Sequence, residues 1–150
     1  PNYSYPAYDY ETLGPGEPGD PNYANMRLYV GDSTGQLTIW TVPEFFGIDY
    51  RPVKTNKLHT GTINQIVNTS RHLITLGNDG LLCFIDLKSL IVVRKMDVLK
   101  EAVANGVGIA ARVNRKLKSA VVREDKERGG ELLIGTSLGD VFIIHIGTTV

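Results

Sequence analysis

Cysteine is almost absent from this 150-residue chain, in which Cys83 stands alone. One thiol can close no internal disulfide and can build no thiolate cluster for a structural zinc, so a reducing compartment is the expected setting. Long apolar runs are missing as well, since none approaches the ~20 residues that a bilayer span needs. Nor is either charge in excess, with 16 basic groups set against 16 acidic ones. A chain without an overall cationic field lacks the main driving force for binding nucleic acid, and neither nucleic acid nor membrane is expected as a partner. No secretory or mitochondrial presequence is visible, which makes a cytoplasmic location the expectation.

Residues with catalytic chemistry are equally sparse. His59, His72 and His145 have neither the close spacing nor the carboxylate companions of a zinc or iron site. Cys83 lies in the apolar run LLCFI, with no His or cationic helix end nearby to lower its pKa, and reads as core. No acid, base and nucleophile can be assembled, so the expectation is a protein that is not an enzyme and carries no metal or cofactor. GVGIAA (106–111) has the spacing of a dinucleotide loop but neither a buried strand directly before it nor a helix after it. A nucleotide-dependent enzyme is the alternative that rests on that segment alone.

What the chain does have is uneven layout. Its first 25 residues hold five of the seven prolines and five of the seven tyrosines, with four acids and no base. Proline fixes φ and removes an amide donor, so GPGEPGDP (14–21) excludes a helix or a central strand there. Residues 1–25 therefore read either as a disordered acidic tail or as an extended strap whose Tyr3, Tyr5, Tyr8 and Tyr10 dock on a neighbour. DVLKEAVA (97–104) reads as a helical turn with Asp97 as its N-cap. Residues 112–128 carry seven bases against three acids. That stretch reads as a solvated loop between strands, or as a docking site in which Arg112, Arg115, Lys116, Lys118, Arg123, Lys126 and Arg128 meet an acidic partner. No aromatic residue lies between these bases to stack a nucleobase, which argues against RNA.

From residue 26 onward, short apolar runs end in Gly, Asn or Asp, the pattern of antiparallel strands joined by tight turns. Three segments align: RLYVGDSTGQLTIWTV (27–42), HLITLGNDGLLCFIDL (72–87) and ELLIGTSLGDVFIIHI (131–146). Each is a strand, a glycine (Gly31, Gly77, Gly135), a small polar turn closed by a second glycine (Gly35, Gly80, Gly139), and another strand. A turn this short needs a residue at positive φ, where a Cβ clashes, and that is the reason for the second glycine to recur. The spacing of the units is that of an internal repeat.

These residues resemble the WD-repeat β-propeller family. LHTGTINQI (58–66) is similar to the family's Gly-His opening of a blade, Asp79-Gly80 stands in the turn, and Ile85-Asp86 takes the place of the signature Trp-Asp pair. Trp40-Thr41 stands there in the first unit and Ile144-His145 in the third. The resemblance implies an all-β chain: about three blades of an incomplete propeller ring over 26–150, preceded by the leader at 1–25. It also implies a structural hydrogen-bond network in which His59, Thr75 and Asp79 take the family's His, Ser/Thr and Asp places, while Ile85 replaces the Trp. Three blades are too few to close a ring of the usual four to eight or so, so the open ends are expected to be covered by further blades or by another chain. GTSLGD (135–140) with its flanking strands also resembles the echinoderm microtubule-associated protein-like propellers. That implies a non-catalytic scaffold within a larger assembly, with tubulin or other axonemal proteins as partners and a cytoskeletal or ciliary location. A regulatory WD-repeat subunit of another cytoplasmic complex is the alternative.

Overall fold

The computed structural model describes residues 6–12, 26–42, 51–98, 100, 116–125 and 129–147. They form the strands β1 (Ala7–Thr12), β2 (Met26–Gly31), β3 (Gln36–Val42), β4 (Arg51–Lys57), β5 (Ile63–Asn68), β6 (His72–Gly77), β7 (Leu81–Asp86), β8 (Val92–Asp97), β9 (Leu117–Asp125), β10 (Gly129–Thr136) and β11 (Val141–Gly147). The fold is all-β. Three separate antiparallel sheets follow one another along the chain, in the orders β1-β2-β3-β4, β5-β6-β7-β8 and β9-β10-β11. Each sheet pairs only strands that are consecutive in sequence, so every connection is local.

The three glycine-cornered segments are the hairpins β2–β3, β6–β7 and β10–β11. Gly35, Gly80 and Gly139 occupy the same place in their turns, with φ of 91°, 80° and 87°. That region is closed to most side chains and open to glycine. At the end of β8, Asp97 caps a helical start: its Oδ1 accepts from the Lys100 N–H at 3.1 Å, the N-cap expected from the sequence. The rest of that predicted turn lies outside the described residues.

Period-two alternation then stacks the sheets face to face. On β6 and β7, Leu73, Cys83 and Ile85 are buried with Ala7, Tyr29, Leu37 and Ile39 of the first sheet. Their neighbours Ile74, Leu76, Leu82 and Phe84 point the other way and are buried with Leu117, Ala120, Leu132 and Ile134 of the third. The second sheet is thus covered on both faces, which is why LLCFI is a continuous apolar run. Each fully buried Leu, Ile or Phe in these layers contributes about 1.5–3 kcal/mol. The leading strands pack in series, β1 on β5 and β5 on β9. Towards the trailing strands, Arg27 Nη1 donates to Leu87 O at 3.2 Å and Lys54 Nζ to Leu90 O at 2.7 Å, tying the first sheet to the second.

Part of the leader is extended, one of its two readings, and the basic stretch differs from a single loop. Residues 7–12, counted within the leader, are β1 and pair with β2 in register from Ala7↔Gly31 to Thr12↔Met26. Pro6 and Pro15 flank this strand in the sequence without interrupting its amide ladder, so AYDYET is free to pair. The remainder of residues 1–25 lies outside the described part. The basic stretch is also not one loop, because residues 117–125 are β9, with Leu117 and Ala120 facing the core. A register shift opposite Gly135 and Thr136 puts Leu117 and Ala120, three residues apart, on the core face and leaves Lys118 and Ser119 exposed between them.

Candidate functional site

The polar centre of the second sheet is built on His59, Thr75 and Asp79. His59 lies in the connection from β4 to β5, Thr75 in the middle of β6, and Asp79 in the β6–β7 turn. His59 and Thr75 are fully buried, at 2% and 0% exposure. His59 Nδ1 is 2.9 Å from Asp79 Oδ1, and Nε2 is 2.7 Å from Thr75 Oγ1. A carboxylate can only accept, so Nδ1 carries the proton and Nε2 accepts from the Thr75 hydroxyl. Asp79 is engaged further: its Oδ2 accepts from Thr60 N–H at 3.0 Å and its Oδ1 from Leu81 N–H at 3.1 Å. Gly77 is required beside this cluster because a Cβ there would run into the His59 ring and the Asp79 carboxylate.

Electrostatics agree with the geometry. Burial pushes the His59 pKa below its ordinary value, although the Asp79 hydrogen bond and charge pull against it. For Asp79, burial opposes ionisation but is outweighed by the Thr60 N–H and the His59 hydrogen bond, and the carboxyl titrates below its usual range. Burial pushes the Cys83 thiol up, and its Sγ lies 3.6 Å from Leu58 O. A neutral imidazole locked between two partners has no lone pair or proton left for a substrate. The arrangement is a staple that ties the β4–β5 connection to the following hairpin.

Ile85, which the WD-repeat resemblance sets in place of a Trp, is buried on the same side of the sheet as Thr75. Trp40 is not part of this network, since it lies on the face of the first sheet opposite Leu37 and Ile39, away from the second sheet. Gly31 and Gly135 correspond in register to Leu76, one residue before the place of Gly77, which Asp32 and Thr136 take in the first and third turns.

The sequence reading missed three polar residues. Asp32, 2% exposed, accepts with Oδ1 from Thr34 N–H at 2.8 Å, Thr34 Oγ1 at 2.7 Å and Gln36 N–H at 3.0 Å, so it shapes the first turn as Asp79 shapes the second. Its signal was present, because D-S-T-G is an Asx-turn sequence. Asn64 Nδ2 donates to Leu117 O at 2.7 Å, and Gln65 bonds to both backbone groups of Ala120. Those contacts cross from β5 to β9, and no local pattern announces them.

Of the predicted docking residues, Lys116, Lys118 and Arg123 are exposed along β9 and its start. Arg123 is paired with Glu131 of β10. Arg112, Arg115, Lys126 and Arg128 lie outside the described residues, as does GVGIAA. His145 is exposed on β11, and His72 stacks edge-on against Phe84 with ring centroids 6.1 Å apart. Among the described residues, no three His, Cys, Asp or Glu side chains gather as metal ligands, and no helix is long and apolar enough to cross a membrane.

No protein-family model matches the chain, and no curated protein matches it. Among solved structures, the crystal structure of the computationally designed Ika4 protein is similar, with a TM-score of 0.55 and 14% identity, over 81% of this chain and 61% of that one. The chain thus spans less than two thirds of that designed protein, and at this identity the likeness concerns the backbone fold alone.

Proposed function

We propose that this chain is a non-catalytic scaffold for protein assembly, built from three WD-repeat-like propeller blades. The observation that carries the reading is the His59–Thr75–Asp79 staple, set in a four-stranded meander between two like sheets. Packing of the leading strands β1, β5 and β9 in series supports wedges arranged about a common axis. Rigidity is the mechanism: local hairpins and buried staples hold the exposed loops and strand edges at fixed positions for a partner.

An acidic protein surface, such as that of tubulin in a microtubule or axoneme, is the partner class this reading favours. Lys116 and Lys118 stand exposed where β9 begins, within the basic stretch 112–128. Association through such groups weakens as salt rises. Co-sedimentation with polymerised tubulin across a salt series tests the assignment. Binding at low salt that fades as salt increases, and that drops in a Lys116→Glu/Lys118→Glu variant, is the expected result. Absence from the pellet at every salt concentration rejects it.

A further inference from the structure

Positions in the three hairpins correspond when their turn glycines Gly35, Gly80 and Gly139 are superposed. In the second sheet, Ile74, Leu82 and Phe84 point towards the following sheet and are buried, at 0%, 0% and 4% exposure. Their counterparts in the third sheet are Leu133, Val141 and Ile143, and the last two are 65% and 61% exposed. Val121 of β9, paired with Leu133, corresponds to Val67 of β5 and is 67% exposed. The third sheet therefore repeats a core-forming face and leaves it in solvent.

The first sheet has the complementary deficit. In the second and third sheets, Leu73, Cys83 and Ile85, and then Leu132, Phe142 and Ile144, form the faces that cover the preceding sheet. The matching residues of the first sheet are Leu28, Thr38 and Trp40, on its face away from the second sheet and half-buried. Tyr8 of β1 shares that face at 71% exposure. One end of the stack offers the kind of face that is covered at each internal junction, and the other end offers the kind that covers it. Stacks of like units are stabilised by neighbour-to-neighbour burial, and an apolar face without a neighbour marks an association site.

We infer that the exposed face of the third sheet takes the outer, half-buried face of the first sheet of a second copy of this chain. Such a contact continues the two stacking interfaces already inside the molecule, with the same kinds of face meeting in the same order. It is head-to-tail, and formed twice between two chains it closes a series of six sheets. Six lies within the ~4–8 found in ring-shaped stacks of such sheets.

Trp40 is the only tryptophan and lies on the covering face, so it reports on the junction directly. Sedimentation velocity on the full chain over a wide concentration range, with tryptophan emission recorded alongside, is the experiment. Expected are a concentration-dependent species of twice the chain mass and a blue shift of Trp40 emission as it forms. Ile143→Asp and, independently, Thr38→Arg should give monomers with red-shifted emission and unchanged far-ultraviolet circular dichroism. A monomer at every concentration with constant emission overturns the inference, as does a dimer that survives both substitutions. The inference rests on the wedge reading of the proposed function, but its failure is separable: monomers that still pellet with microtubules leave the scaffold standing, whereas dimers that never pellet remove only the tubulin assignment.

Discussion

Gln65 and Ala120 are joined as if they were paired residues of one sheet, although they belong to two. The side-chain Oε1 of Gln65 accepts from Ala120 N–H at 2.9 Å, and its Nε2 donates to Ala120 O at 2.9 Å. The amide of one side chain thus stands in for a peptide group and clamps β5 to β9. Gln65→Leu keeps bulk but leaves both backbone groups of Ala120 unpaired in a partly buried place. The expected cost is about 1–3 kcal/mol, read as a lowered urea midpoint. Gln65→Glu should be at least as damaging, since its second oxygen faces the Ala120 carbonyl and cannot donate to it.

Acid should loosen the fold from the His59 side first. His59 titrates below its ordinary 6.5 in the folded chain, and Asp79 below its ordinary 3.8. Both groups therefore bind fewer protons folded than unfolded. The contribution of His59 is present in full above about pH 6.5 and is lost as pH falls through its lower folded value, and that of Asp79 follows in the range below about 4. Urea midpoints should fall between about pH 8 and pH 5, and the upper part of that fall should vanish in His59→Gln. A midpoint that rises on acidification would contradict the assignment of a neutral, buried imidazole.

Two glycines of the same hairpin pattern should respond differently to alanine. At Gly139, φ is +87° and nothing lies within 4 Å of an added Cβ, so the cost is conformational alone, about 1–2 kcal/mol. At Gly77 the added methyl meets His59 and Asp79 and forces apart a buried network. Overpacking and a lost hydrogen bond together make that about 3 kcal/mol or more. Parallel urea titrations of Gly77→Ala and Gly139→Ala give the comparison.

The hairpins were legible in the sequence because their signal is local: a strand period of two and a glycine where the turn needs positive φ. His59, Thr75 and Asp79 were legible through the resemblance, and the structure brings them within hydrogen-bond distance of one another. Strand β1 was hidden by the prolines on either side of it. Strand β9 was hidden because Lys118, Arg123 and Glu124 sit at exposed positions of LKSAVVRED, where strand geometry places no demand on residue type. Gln65 and Asn64 were invisible for a different reason. Their partners lie more than 50 positions along the chain, at Ala120 and Leu117, and only the stacking of one sheet on the next brings those carbonyls within reach.

Cys83 offers a probe of how that stacking opens. It is 0% exposed between the first and second sheets, and burial holds its thiol protonated beyond the ordinary range. Only the thiolate attacks a disulfide reagent, so labelling requires the two sheets to part. At about pH 8, reaction with an aromatic disulfide should be slower than in the urea-unfolded chain by about a thousandfold, the factor that matches ~4 kcal/mol of opening free energy. Gly77→Ala makes the result specific. If parting the sheets is the global unfolding event, its labelling rate should rise by the factor that corresponds to its lost stability, whereas an unchanged rate would mean that the junction opens locally while the His59 staple stays closed.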